Sequence, residues 1–299
     1  MYSSLASFLR LNQIEYYENY NGARLNSFEI GGKVPIAIFP NSEKALCKVL
    51  RELFLRQYKY FLLGNGTNSY LNEAYNGVIV VTRKLQKIET EETFLVASCG
   101  SSLSDIAFEA MMKGLTGLEF AFGIPGSVGG GAYMNAMAYD SKISNVVFKS
   151  KIYDVKNDSV FEIDKFSHNY MDKYSIFMTN KSLVLLETTF SLLYGDINSI
   201  CANMKKNLFK RIKSQPLEYG SGGSAFKRPP NGYASKMIDE CDLKGKSLNG
   251  ASVSSHHAGF IVNDGFATSN DVTELAKYIQ GSVYKKFKIH LEKEIILVE

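Results

Sequence analysis

The chain is poor in the residues that announce metal centres and covalent cross-links. Its 299 residues include only 4 cysteines and 4 histidines, and no tryptophan. Cys47, Cys99, Cys201 and Cys241 form no C-x-x-C pair, and no histidine completes a metal-ligand spacing, so no metal site is expected. The four cysteines read as reduced thiols of a cytoplasmic protein, most of them buried. A strong charge excess is also missing. Lys and Arg total 34 against 30 for Asp and Glu, a net of +4. That balance does not argue for a nucleic-acid partner, although it suits an anionic small substrate. No basic segment followed by an apolar run opens the chain, so no secretory signal is expected. The longest weakly charged stretch, GLTGLEFAFGIPGSVGGGAYMNAMAY, has the length of a membrane span. Its glycines and its Glu119, Pro125 and Asn135 would serve a lipid-facing helix poorly. A soluble protein without membrane contact is expected.

What is present is an ordinary globular composition, 45% hydrophobic and 21% charged. Such a chain can bury a sizeable core in two or three domains. Leu46, Val49, Leu50 and Leu53 recur at helical spacing behind Ser42 and predict a helix over 43–57. YFLL at 60–63, GVIVVT at 77–82 and LVAS at 95–98 read as strands. Leu103, Ile106, Ala107 and Ala110, with Gly114 as a stop, predict a helix over 102–113. Residues 145–195 read mostly as β, and a basic helix spans 197–213. The character then changes. Residues 217–232 form a Gly/Ser/Pro loop, and a short helix carries Ala234, Met237, Ile238 and Cys241. FIVN at 260–263 is a strand. Val272, Leu275, Ala276, Ile279 and Val283 mark a strong helix, and EIILV is the last strand. Strands and helices interleave, so the class is α/β or α+β, with a boundary near 200–215.

Two glycine-rich loops carry chemical interest. LGNGTN at 63–68 follows a buried strand directly. Gly64 and Gly66 allow positive φ, which lets backbone N–H groups converge on an anion, and Thr67 and Asn68 add donors. A tight turn between strands is the plainer reading. The loop fits neither G-x-G-x-x-G before a helix nor a G-K-[ST] phosphate loop, so a standard dinucleotide fold is not supported. In GIPGSVGGGAYMNA at 123–136, Gly126, Gly129, Gly130 and Gly131 strip side chains from a long backbone stretch. That stretch can lie against a large ligand, or serve close packing between elements. Together the loops could cradle a diphosphate from two sides.

These residues resemble the UDP-N-acetylenolpyruvoylglucosamine reductase (MurB) family of peptidoglycan synthesis. The likeness rests on NSFEIGG at 26–32, LGNGTN at 63–68 and GLEFAFGIPGSVGGGAYMNAMAY at 117–139. It continues through GSAFKRP at 223–229, LKG at 243–245, HAGFIVNDGFATSNDV at 257–272 and LEKEI at 291–295. The FKRP form resembles the compact branch, which lacks an inserted substrate loop. The resemblance implies an α+β fold: an FAD-binding, two-lobe domain of the vanillyl-alcohol-oxidase type plus a C-terminal α+β substrate-binding domain. The lobes would span 1–82, joined by the C-terminal strand 294–299, and 83–200, with the substrate domain over 201–293. FAD would rest on Gly64, Asn65, Gly66, Thr67, Asn68, Gly123, Ile124, Pro125, Gly126, Ser127, Gly129, Gly130 and Asn135. NADPH would give a hydride to FAD, and the reduced flavin would pass it to the enolpyruvyl ether of a UDP-sugar. A cytoplasmic monomer is expected.

The resemblance also implies roles. Ser224, in G-S-A-F, matches the family's proton donor; a serine hydroxyl suits an acceptor as basic as an enolate carbon. Glu294 matches the second acid and would need a raised pKa beside a developing anion. Glu292 shares its strand face, and Glu294 is preferred for its place before the apolar pair. The family's Tyr-Arg-x-Ser-x-Phe stands here as Asp172-Lys173-Tyr174-Ser175-Ile176-Phe177, which puts Lys173 at the arginine. Lysine keeps the charge but loses the bidentate fork. A slipped alignment leaves Lys165 or Lys181 as the cation. Lys227, Arg228 and Tyr174 are the candidate substrate-binding residues, the two cations facing the diphosphate. Arg211 and Lys213 extend the same basic rim. His256 and His257 read as structural, on opposite sides of a strand, and His168 and His290 as uninformative. Two alternatives stay open: another flavin oxidoreductase on this scaffold, or a catalytically impaired paralogue that binds flavin or UDP-sugar.

Overall fold

The computed structural model describes residues 2–299, which fall into two units, each with its own core. The first comprises residues 2–18, Ile36–Asn65 and Gly77–Lys210. Its strand Tyr60–Leu63 lies parallel to Val78–Val81, which in turn pairs parallel with residues 36–38. Both faces of Val78–Val81 are buried, so the strand is an unbroken apolar run rather than an alternating one. The predicted helix runs over Glu43–Leu55. Ser42 Oγ caps it by accepting from the Ala45 N–H, and the stripe Leu46, Val49, Leu50 and Leu53 is buried. A second, antiparallel sheet orders Ser159–Asp164, Val147–Asp154, Leu183–Ser191, Phe94–Ser98 and Ile88–Glu91. The helix Leu103–Met112 starts at Ser102, whose Oγ accepts from the N–H groups of Ser104 and Asp105. Gly114, at φ +67, ends it as expected.

The glycine-rich segment does not stay extended. Val128–Met134 is a short helix, capped by Ser127 Oγ and closed by Asn135 at φ +47. Glycines disfavour a helix by about 1 kcal/mol each, but here packing requires them. A Cβ on Gly129 would stand 3.0 Å from Cys99 O, and one on Gly131 3.1 Å from Leu103.

The second unit comprises Asn19–Pro35, Gly66–Asn76 and Arg211–Glu299. Its antiparallel sheet orders Gly220–Ser224, Phe260–Asn263, Ala251–Val253 and Ser247–Leu248. Gly220–Ser224 lies inside the segment read as a loop. Its Gly/Ser composition hides a strand, because the pairing comes from Phe260–Asn263 and not from its own side chains. The long helix Ser269–Phe287 begins in a capping box between Thr268 and Asp271. Glu73 accepts from both the N–H and the hydroxyl of Ser269, fixing the segment 66–76 to that helix. The last strand, Ile296–Val298, pairs parallel with Ser69–Leu71.

Only Cys99 is fully buried; Cys47, Cys201 and Cys241 are half-buried, fewer buried thiols than expected. All four are free, and burial pushes Cys99 up to about 12 and Cys47 to about 11. Among the described residues no group of His, Cys, Asp and Glu could hold a metal, and no helix is long and apolar enough to cross a membrane.

His168 is not an idle residue. It is fully buried, with Nδ1 2.7 Å from Asp164 O and Nε2 2.9 Å from Ser150 Oγ. Ser150 Oγ meets Thr188 Oγ1 at 3.1 Å, so the network joins two neighbouring strands. Burial holds the His168 pKa below the ordinary histidine range. The unfolded chain therefore takes up the proton first, and stability is lost as pH falls below about 6.5. His168→Gln should lower the unfolding midpoint at pH 7.5, by about 1–3 kcal/mol of stability, and flatten the acid limb of stability against pH. Parallel acid limbs in variant and parent would contradict this role.

Candidate active site

In the first unit the two glycine loops are tied together. Asn65 Nδ2 donates to Pro125 O at 2.9 Å, and the Arg83 guanidinium donates to Asn65 O at 3.0 Å. Gly64 does not need a positive φ, contrary to the expectation for it. It must be glycine because a Cβ would overlap Ser127 Oγ. The helix Val128–Met134 is not a row of free donors either. The N–H groups of Val128, Gly129 and Gly131 go to Ser101 O, Cys99 O and Ser127 O, and that of Gly130 goes to Ser127 Oγ. Gly123 and Ile124 give theirs to Ser104 Oγ and Ala121 O. Within 64–65 and 123–131, the N–H groups of Gly64, Asn65, Gly126 and Ser127 have no acceptor among the described residues. They flank the contact between the loops, and Arg83 adds positive charge there. Open backbone donors near a guanidinium suit an anionic group. Arg83 escaped the sequence reading; the available signal was its place just after the buried strand and Thr82.

Asn135 spends its amide on the protein. Nδ2 donates to Met171 O at 2.9 Å, and Oδ1 accepts from the Ser144 N–H at 3.0 Å. Met171 and Tyr174 bridge across a two-residue turn in which Lys173 sits at φ +51. Ser175 Oγ, fully buried, anchors the far side of the turn to Tyr133 O at 2.7 Å. Lys173 is half-buried at its apex, and the Tyr174 hydroxyl meets Thr179 Oγ1 at 3.0 Å. Lys181, the alternative cation, is engaged with the Tyr133 hydroxyl at 2.8 Å and lies over its ring.

In the second unit backbone pairing brings Ser224 and Glu294 together. Phe226 bridges Lys293, the Glu294 N–H donates to Ala225 O at 2.9 Å, and the Lys227 N–H donates to Glu292 O at 2.8 Å. Ser224, next to Ala225, is exposed, whereas Glu294 is half-buried. The strand bulges just before Ser224, at Gly222 and Gly223, with Gly223 at φ +79. Glu292 is separated in role from Glu294: it is solvent-exposed and pairs with Lys227 Nζ at 3.1 Å. Within the cofactor loop, Gly66 is left-handed at φ +70 and packs on Leu25 and Asn26, while Thr67 is half-buried beside it. Asn68 Nδ2 donates to Glu294 O at 3.0 Å.

Arg228 lies over the Tyr233 ring, 4.2 Å from its centroid. Tyr233 helps line a cavity of about 270 Å³ with Lys236, Lys244, His256 and His257. The two histidines sit in a turn rather than on opposite sides of a strand, and both backbone N–H groups donate to Ser254 Oγ. His257 Nδ1 accepts from the Gly259 N–H at 3.1 Å, which leaves the proton on Nε2. Burial holds its pKa below the ordinary range, so the ring is neutral near pH 7. The sequence reading missed this cavity because its lining is gathered from 233–244 and 256–258.

Residues 34–163 match the family described as FAD binding domain. Residues 215–298 match the one described as UDP-N-acetylenolpyruvoylglucosamine reductase, C-terminal domain. The chain is 39% identical over 291 residues to the UDP-N-acetylenolpyruvoylglucosamine reductase of Caldicellulosiruptor bescii, covering 96% of this chain and 92% of that one. It is 37% identical over 289 residues to that of Clostridium novyi, covering 96% and 94%. The crystal structure of the Thermus caldophilus enzyme superposes with a TM-score of 0.80 at 24% identity, over 96% of this chain and 99% of that one.

The bulge yields a test. A Cβ on Gly222 would collide with the Phe28 ring and stand 3.1 Å from Ile295 Cγ2, whereas one on Gly223 meets nothing within 4 Å. Gly223→Ala should therefore cost only left-handed strain, about 1–2 kcal/mol. Gly222→Ala should cost at least as much through overpacking, about 1–3 kcal/mol, and also displace Phe28. Urea unfolding of both variants checks the order, which a more damaging Gly223→Ala would reverse.

Proposed function

The chain belongs to the UDP-N-acetylenolpyruvoylglucosamine reductase family of FAD-dependent oxidoreductases, and we propose that it reduces UDP-N-acetylglucosamine enolpyruvate to UDP-N-acetylmuramate with NADPH, in peptidoglycan precursor synthesis. The observation that carries this reading is the backbone pairing that sets Ser224 beside the Glu294 strand.

The residues at the glycine loops fit FAD. The side-chain-free approach at Gly64, the open N–H groups of Gly64, Asn65, Gly126 and Ser127, and the charge of Arg83 suit its diphosphate. Bound there, the flavin supplies hydride transfer from NADPH to the methylene carbon of the enolpyruvyl ether. The protein's task is the rest. Ser224 donates its Oγ proton to the neighbouring carbon, which is basic enough to accept from a hydroxyl. Glu294, half-buried on the neighbouring strand, stabilises the developing enolate. Lys173, with Tyr174 beside it, neutralises the substrate carboxylate as a point charge. Lys227 and Arg228 take the diphosphate. An exposed pair such as Lys227–Glu292 contributes about 1 kcal/mol or less, so an anionic ligand can displace it. The cavity at Tyr233, His256 and His257 takes the nucleoside end, with the Nε2–H of neutral His257 as a donor. In this reading residues 1–82 with the C-terminal strand 294–299, and 83–200, are the flavin lobes, 201–293 is the substrate domain, and the enzyme works as a monomer in the cytoplasm.

An anaerobic spectrum tests the proposal. Purified protein should carry bound flavin whose absorbance bleaches with NADPH and recovers when the enolpyruvyl sugar is added. Bleaching without recovery would reject this substrate, and absence of flavin would reject the reading altogether. Lys173→Arg should raise turnover, because a planar fork holds a carboxylate more rigidly and the left-handed turn strains both side chains alike. A fall in turnover would remove Lys173 from the carboxylate role.

A further inference from the structure

We infer that Asn68 is a positioning residue for Glu294: the cofactor loop is the joint that sets where the acid stands. The inference rests on the reading of Glu294 given above.

The peptide of Glu294 is held on both sides. Its N–H donates to Ala225 O at 2.9 Å, and its carbonyl accepts from Asn68 Nδ2 at 3.0 Å. The Ile296 N–H donates to Asn68 O at 2.9 Å. Asn68 thus binds the Glu294 segment through both side chain and backbone, immediately before the ladder Ser69↔Ile296, Tyr70↔Leu297 and Val298↔Leu71 begins. The same loop reaches the serine by a second route. Gly66 O accepts from the Ser27 N–H at 3.0 Å, and Ser27 exchanges hydrogen bonds with Ser221, three residues before Ser224. One short loop therefore holds both strands that carry the proposed acids.

This assigns the Asn68 amide a different use from the cofactor contact that the loop's composition suggests. The Nδ2–H bond fixes the peptide plane of Glu294, and through it the direction of the carboxyl. Alanine removes the donor. Aspartate puts an acceptor against an acceptor, so Asn68→Asp should be worse than Asn68→Ala.

The test combines rates, binding and exchange, with the holoenzyme as the material. In Asn68→Ala, the step that consumes the enolpyruvyl sugar should slow about tenfold to a hundredfold, as expected for a misplaced catalytic group. Its KM for the sugar and the rate of NADPH oxidation should stay within about twofold. Added to Glu294→Gln, Asn68→Ala should cost little more, because both act through one carboxyl. Amide exchange at Glu294 and Ile296 should accelerate about tenfold or more, and FAD affinity should be unchanged. A large loss of FAD affinity with a normal sugar step would overturn the inference and return Asn68 to the cofactor. Unchanged exchange at both amides would overturn it as well. If Glu294→Gln leaves the sugar step intact, the role of Glu294 fails instead, and the exchange rates alone decide whether Asn68 holds that strand.

Discussion

The peptide group of Glu294 is a joint on which the strand arrangement of the second unit depends. A carboxylate two residues before the strand Ile296–Val298 would sample many positions if its backbone were free. Here the N–H is bonded to Ala225 O and the carbonyl to Asn68 Nδ2, so both flanking peptide planes are fixed. The parallel pairing of Ile296–Val298 with Ser69–Leu71 extends the hold. Because Ala225 adjoins Ser224, the same bond keeps the backbone of Glu294 next to the strand that carries the serine.

Glycine serves this architecture for different reasons at different positions. Gly64 is required by the proximity of Ser127, and Gly66 by a left-handed backbone pressed on Leu25. At Gly64 a Cβ would displace the Ser127 hydroxyl that caps the short helix, and at Gly66 it would separate two backbones that touch. The donors that remain open at the loops are few, because the short helix Val128–Met134 satisfies its own first turn. The loops therefore offer a small, defined set of N–H groups near Arg83 rather than a broad glycine surface.

Charged groups of the second unit meet mostly in exposed pairs. Lys227 rests on exposed Glu292, and Lys244 on Asp239, both weak surface pairs. Lys173 is held differently. Its turn is clamped by Asn135 on one side and Ser175 on the other, which fixes the backbone that carries it. His257 is neutral and contributes a hydrogen bond rather than a charge.

Local pattern determined much of this molecule. The helices at 43–55 and 103–112, the strands at 60–63 and 78–81, and the long helix from Ser269 follow from apolar spacing and caps, which act within a few residues, although of the strand expected to be buried at 60–63 only Leu63 is. Ser224, Glu294 and the two glycine loops were legible because their motifs stand contiguous in the sequence. What stayed hidden depends on partners far along the chain. The strand Gly220–Ser224 exists through Phe260–Asn263, the helix of glycines through Cys99 and Leu103, and the His168 network through Ser150 and Thr188. The cavity at His257 and the hold of Asn68 on Glu294 belong to the same class. A hydrogen bond between residues 68 and 294 leaves no trace in the spacing around either one, so only the tertiary structure could decide it.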